Sequence, residues 1–437
     1  MTRDCDVAII GAGAAGLAAA VELGRRGLDV CILEARDRIG GRILTRREPH
    51  LAAPIELGAE FVHGRPAESF VRLAAREVPL IDAAETRWIS RAGKLQPAED
   101  LFGLLRTHLR RIGRPRKDLP FRDFMESARR RLPPRLRDFA LLLVEGFDAA
   151  DSTRVSTLGT FDEWFGESAA DAPTFRPAGG YATLLHALGS ALTPARVDLR
   201  LETIVREVRW RRGEATIEAT QRGAPLCVRA RQALVTLPLG ILQLPPNAPN
   251  AVLFAPALTA KQRAFGCLAT GQVTKVVLQF RTPFWEHVDG GRYADAAFFH
   301  TPEAAFPTFW TTLPARTTLL NAWAAGPAAA RLGPYGERDA VGMAVDCARA
   351  LFGRRADALL ELQAAFTHDW QADPFACGAY SYVVAGGGGA RERLAQPLRG
   401  TLFFAGEAAE TTGESGTVTG ALASAQRAVE QLTGSRR

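Results

Sequence analysis

The chain has 437 residues, of which 47% are hydrophobic and 23% charged, a balance that excludes a disordered or fibrous protein and leaves room for two packed domains. The net charge is +7, from 54 basic against 47 acidic residues, and the arginines read as spread along the chain. With no basic tail and no zinc or helix-turn-helix pattern, a nucleic-acid partner is not expected, and no run approaches the roughly 18 apolar residues of a membrane span.

Cys5 to Ile10 reads as a buried strand and runs into Gly11-Ala-Gly-Ala-Ala-Gly16. A helix is predicted from Leu17 to about Arg26, then a second strand from Asp29 to Leu33 that ends at Glu34. Residues 96–150 carry Leu and Arg at helical spacing, broken by Pro115, Pro120, Pro133 and Pro134, and predict several short helices. Strands follow at Val197–Leu201, Ile204–Arg211, Ala215–Ala219, Leu226–Arg229 and Ala233–Thr236, and again at Gln272–Phe280. A last buried strand, Thr401–Ala405, precedes Gly406-Glu407 and an amphipathic helix over about Thr419–Leu432. The Gly386–Gly389 run predicts a flexible loop, with room for a mobile lid.

The six cysteines stand singly, with no CxxC pair or Cys/His cluster, so neither a metal nor a disulfide framework is predicted. The N-terminus runs straight into its strand without an export signal, and a cytoplasmic location is expected.

The strand–GxGxxG–helix–strand unit is a dinucleotide fingerprint. Gly11 permits the tight turn, Gly13 lets the backbone approach a pyrophosphate, and Gly16 lets helix and strand pack closely. The helix N-terminus favours the phosphate charge. Glu34 stands where a carboxylate bonds ribose hydroxyls, which disfavours a 2′-phosphate and hence NADP. These residues alone leave FAD and NAD both open.

Glu34-Ala-Arg-Asp-Arg-Ile-Gly-Gly-Arg42 extends the fingerprint and resembles the flavin amine oxidase family of monoamine oxidases, polyamine oxidases and lysine-specific histone demethylases. Four further regions are similar to it in the family's order. They are Glu56-Leu-Gly-Ala-Glu-Phe-Val-His-Gly64, Gln272-Val-Thr-Lys-Val-Val, Trp370 to Tyr382, and Leu402-Phe-Phe-Ala-Gly-Glu407 with Gly416-Thr-Val-Thr-Gly-Ala421. The resemblance is strongest to the polyamine oxidase and demethylase branch.

It implies an α/β fold in which a Rossmann-type FAD-binding domain (1–80, 192–262 and 384–437) interleaves with a mixed-sheet and helical substrate-binding domain (81–191 and 263–383). It implies non-covalent FAD, since Ala379 rather than a cysteine precedes Tyr380. Gly11, Gly13, Ala15 and Gly16 would line the pyrophosphate turn and Glu34 the ribose. Arg36, Gly41 and Arg42 would lie near the phosphates and the flavin edge. Gly58, Ala59, Glu60 and Phe61 would run along the isoalloxazine, Val205 would bond the adenine through its backbone, and Trp370 would stand near the ring. Glu407 would hold the ribityl chain or pyrophosphate, and Thr417 and Val418 would cap the flavin.

Lys275 is the sharpest candidate for chemistry. An unpaired ammonium is costly inside an apolar strand, and four of the 54 basic residues are lysines. The family pattern places it beside flavin N5 through a water. Tyr380 would form an aromatic wall, with Phe375 in the substrate pocket. His63 would contact the distal amine of a long cation, and Asp162 and Glu163 are further acidic candidates. The implied activity is oxidation of a polyamine or related amine by hydride transfer to the flavin, with O2 reduced to H2O2. The alternatives are an L-amino acid oxidase, a carotenoid-type desaturase or isomerase, and a non-catalytic flavoprotein. A demethylase is disfavoured by the absence of a coiled-coil insertion.

Overall fold

A computed structural model of the chain describes residues 4–63, 78–91, 93–98, 100–165, 173–353 and 361–434. The strand Cys5–Ile10 lies inside an eight-stranded sheet, parallel to Val30–Leu33 on one side and to the end of Ala224–Val235 on the other. Its side chains alternate between two buried faces. Val7 and Ile9 meet the helices Ala14–Arg25 and Val418–Gly434. Ala8 and Ile10 face a second core that includes the short helix Ala390–Ala395. The strand Leu402–Phe404 adds to Ala224–Val235, so one sheet joins the first strand of the chain to one of its last. The first helix begins at Ala14, earlier than expected, because Gly13 serves as its N-cap.

The two short strands expected at 226–229 and 233–236 are one strand of 12 residues. Arg229 and Arg231 interrupt its apolar run, but Val228, Ala230 and Gln232 keep the alternation on the buried side. Its first half is antiparallel to Glu214–Gln221 and its second half parallel to Cys5–Ile10.

A second, seven-stranded sheet runs in the order Leu362–Thr367, Val273–Phe280, Leu319–Ala325, Thr308–Thr311, Phe298–His300, Arg87–Arg91, Lys94–Pro97. The first strand of the eight-stranded sheet and the centre of this one come from separate stretches of chain, and we propose the domain division given above on that basis. The helices Leu101–Ile112, Phe121–Ser127, Pro134–Gly146 and Thr157–Phe165 form the expected helical region around a core of their own. Between Arg106 and Arg137 there are twelve basic and three acidic residues, so the positive charge is concentrated here rather than spread.

The glycine run is no lid. Gly386 N–H donates to Asp118 at 2.7 Å and Ala385 N–H to the Arg154 carbonyl at 2.7 Å. A Cβ on Gly387 would stand 2.6 Å from the Cys267 carbonyl, so the turn is anchored on both sides.

Candidate active site

A cleft opens at the N-terminus of Ala14–Arg25, lined by Gly11, Gly13, Ala15, Glu34, Arg36, Gly41, Arg42, Val205 and Glu407 among others. Gly13 has nothing within 4 Å of where a Cβ would be, which leaves the turn open to a ligand. Gly16 is the opposite case: a Cβ there would stand 2.0 Å from the Gly11 carbonyl. No side chain caps this helix, so its first N–H groups are left for an anion. Glu34 is buried and accepts from Ala12 N–H at 2.7 Å and Arg36 N–H at 2.9 Å. The strand Leu253–Ala255 joins Thr203–Arg211 only from Glu207 onward, beyond Val205. An uncapped helix end, an open glycine turn and a carboxylate at the second strand fit a dinucleotide.

Arg36 pairs with Asp373 at 2.8 Å and stands 5.3 Å over the Phe375 ring. Burial opposes the Asp373 charge, but His368 and Arg36 prevail and bring its pKa down to about 2. Phe375 therefore lines the dinucleotide cleft and not the substrate pocket expected for it. Arg42 reaches Glu407 at 3.1 Å and donates to the Ala379 carbonyl. Glu407 also accepts from the Ser381 hydroxyl at 2.7 Å. Burial alone would raise its pKa; Arg42, Arg391 and Ser381 outweigh that and hold it below the ordinary range. Glu407 thus ties the cleft to the segment that carries Tyr380.

At the inner end, the loop Glu56–His63 packs on Arg42. A Cβ on Gly58 would stand 1.9 Å from the Arg42 carbonyl, and Ala59 N–H approaches the same oxygen at 3.4 Å. Trp370 buttresses the loop from behind, donating to the Leu57 carbonyl at 2.9 Å. Gly64, the end of that motif, lies outside the described residues. Lys275 is 3% exposed, on Val273–Phe280 opposite Trp323, with its ammonium 2.6 Å from Glu60. The carboxylate of Glu60, a residue expected along the isoalloxazine, is engaged by Lys275, Arg176 and the Trp310 indole.

The neighbouring side chains form an aromatic cluster. Tyr380 donates its hydroxyl to the Phe147 carbonyl, and Trp323 donates to the Gly146 carbonyl at 2.7 Å. Phe147 is 56% exposed, and its ring meets His63 edge-on at 5.0 Å. Burial and Arg87 lower the His63 pKa to about 4. Its folded value lies below the unfolded 6.5, so His63 destabilises the fold as pH falls from 6.5 through 4. We expect His63→Gln to leave any acid limb of kcat/KM between pH 5 and 7 unchanged, as a pH–rate comparison will check.

Asp148 and Glu163 bring acid to this cluster. Burial raises Asp148 well above the usual range and Glu163 adds to it; burial raises Glu163 as well. Glu163 accepts from the Ser415 hydroxyl at 3.1 Å. Asp162 does not join them. It is exposed and paired with Arg114 at 2.6 Å, since consecutive helical residues point apart. The closing loop reaches Tyr380, where a Cβ on Gly416 would stand 3.2 Å from its ring. Thr417 then accepts from Gly420 N–H at 2.9 Å and caps the helix that starts at Val418.

The sequence model of flavin containing amine oxidoreductases matches residues 14–433. The chain belongs to this family. Its cofactor is FAD. Human lysine-specific histone demethylase 2 is 28% identical over 98% of this chain and 53% of that protein. Polyamine oxidase 4 of rice is 25% identical over 97% and 88%. The chain spans about half the length of the human and mouse demethylases it matches. Wild-type putrescine oxidase bound to putrescine superposes with a TM-score of 0.79 at 20% identity, covering 98% and 99% of the two chains. Cyclohexylamine oxidase from Brevibacterium oxydans gives 0.78 at 21%, covering 99% and 100%.

For this amine oxidoreductase, sequence reasoning missed Arg176, Trp310, Phe147, Asp148 and Arg391. Asp373 lay within a quoted motif, and its spacing from Trp370 was available. The others have no local signal. Gly16→Ala should cost about 1–3 kcal/mol through overpacking and yield protein without its yellow colour, as thermal unfolding and the flavin absorbance will show.

Proposed function

We propose that the chain is an amine oxidase for a polyamine or a related primary or secondary amine. The observation that carries this is the cluster of Tyr380, Phe147 and His63, with the acids Asp148 and Glu163 beside it. Aromatic faces and carboxyl groups receive a cationic or amine-bearing chain, and a neutral His63 accepts a hydrogen bond from it. The similarity to polyamine oxidases and the fold shared with putrescine oxidase support the same class.

Bound FAD would supply the two-electron acceptor. Gly11, Gly13, Glu34 and Arg42 would hold its dinucleotide part, with Ala379 offering no thiol for a covalent link. Tyr380, whose phenol burial keeps protonated, orients the amine's α-carbon. A distal ammonium would favour the ionised forms of Asp148 and Glu163, which burial opposes. Lys275 positions water for reoxidation or for hydrolysis of the imine. In the overall balance, amine, O2 and water give aldehyde, a smaller amine or ammonia, and H2O2. All six cysteines are free, which supports the proposed cytoplasmic setting.

The runner-up is an L-amino acid oxidase, which needs a guanidinium for the substrate carboxylate. Arg176 is spent on Glu60, but Arg87, 4.9 Å over Phe298, keeps this reading in the test. The experiment is anaerobic mixing of the yellow enzyme with spermine, spermidine, acetylated polyamines, putrescine, benzylamine, an N-methylated lysine peptide and L-amino acids. Bleaching by a polyamine, with peroxide once air is admitted, establishes the proposal. Bleaching by amino acids alone moves the assignment to the runner-up, and bleaching by none of them refutes both.

A further inference from the structure

The Lys275 ammonium has a partner that the family resemblance did not supply. Glu60 is buried, and both of its oxygens are engaged. One accepts from Lys275 at 2.6 Å, the other from Trp310 Nε1 at 2.9 Å and from the Arg176 guanidinium. Arg176 spends a further N–H on the Thr311 carbonyl at 2.9 Å and lies 4.4 Å over the Phe61 ring. The ammonium sits 5.3 Å over the Trp310 ring, and Thr367 Oγ1 donates to the Lys275 carbonyl at 2.7 Å. The backbone and the head of this lysine are therefore both fixed. Glu56 is the other ionisable group close by, also buried, and burial pushes its carboxyl up to about 7.

At pH 6, with the Glu56 carboxyl mostly protonated, the charges of this cluster do not cancel. Two cations face one carboxylate, and one positive charge is left in a wall shielded from water. It adjoins the cleft, since Glu60 follows Gly58 and Ala59, whose backbone rests on Arg42. A buried positive charge favours whatever neighbouring group gains an electron, and low polarity strengthens the effect.

We infer that Glu60 is a positioning residue that locks Lys275 in place and, with Arg176, sets the net charge of the flavin's surroundings and so its reduction potential. This rests on the flavin occupying the cleft beside Gly58–Phe61, and not on which amine is oxidised. Removing Glu60's charge leaves two unbalanced cations. Removing Lys275's leaves a neutral Arg176–Glu60 pair. Removing both returns the cluster to a single positive charge.

The test is a reductive titration of the bound flavin at pH 6 against a reference dye, which needs no amine substrate. Glu60→Gln should raise the midpoint potential, Lys275→Met should lower it, and the double variant should return close to the wild type. A shift of the two single variants in the same direction, or no shift in either, overturns the inference. If Glu60→Gln does not retain flavin, Arg176→Met decides. It also removes one positive charge, so its potential must fall as that of Lys275→Met does; a rise or no change overturns the proposal. Because substrate plays no part, failure here leaves the amine panel untouched, and failure of the panel leaves the potentials interpretable.

Discussion

Lys275→Met is expected to slow turnover by about 100-fold, the lower end of what a positioned proton-handling group contributes, with the flavin still bound. The reason lies in the partners left behind. Removing one member of a buried pair ordinarily strands a charge at a cost of several kcal/mol. Here Glu60 keeps Arg176 and Trp310 after the ammonium is gone, so its carboxylate stays satisfied. Methionine fills the strand position opposite Trp323 with little change of volume. The fold should survive while the chemistry suffers. Rapid mixing resolves the two half-reactions: flavin bleaching without oxygen, and recovery of colour when oxygen is admitted. Wild-type rates in both would remove Lys275 from any chemical role.

Glu407→Ala should act on the opposite side of that balance, destabilising the protein by about 3–5 kcal/mol and emptying the cleft. Glu407 holds Arg42 at 3.1 Å and both donors of Ser381, while Arg391 donates to its backbone carbonyl and to Ser381. Arg391 is buried like Glu407, so deleting the carboxylate removes a counter-charge from a guanidinium shielded from water. Arg42 would also lose the contact that directs it between the cleft and Ala379. Denaturant unfolding of the apoprotein measures the stability loss, and absorbance of the purified protein measures retained flavin. Glu407→Gln, which keeps the shape and one acceptor, should lie between. An alanine variant with native stability and full colour would show that the network around Glu407 is incidental.

What could be read from the sequence was what a short stretch encodes by itself. The strand Cys5–Ile10, the glycine turn, the helix after it and Glu34 lie within thirty residues, and their roles follow from spacing. Lys275 was legible because a lysine inside an apolar alternating strand needs a reason. The same signal was silent at Lys261, which is just as buried. Its ammonium donates to the carbonyls of Arg393, Leu394 and Gln396 at the end of a helix, a structural use of the same group.

The partners of Lys275 were not legible. Glu60 is 215 positions away, and Trp310 is 250 positions from Glu60; no periodicity links such residues. Phe375 and Tyr380 were read as neighbours because they share a motif. The turn at Asp373–Gly378, where Cys377 takes φ 53°, separates them: Phe375 lines the dinucleotide cleft and Tyr380 bonds the Phe147 carbonyl. Motif membership fixes proximity along the chain, and the backbone turn decides direction.

The pairing of Ala224–Val235 with both Cys5–Ile10 and Leu402–Phe404 bears on how the protein is made. At about 5–20 residues per second, roughly 20–80 s separate emergence of the first strand from the ribosome and arrival of the last. From the synthesis of Val235 until Leu402–Phe404 arrives, the flank of Ala224–Val235 reserved for that strand is an open hydrogen-bonding edge, a template for mispairing. Completion of the sheet around the cleft, and with it cofactor capture, waits for that late strand rather than guiding synthesis of the first half.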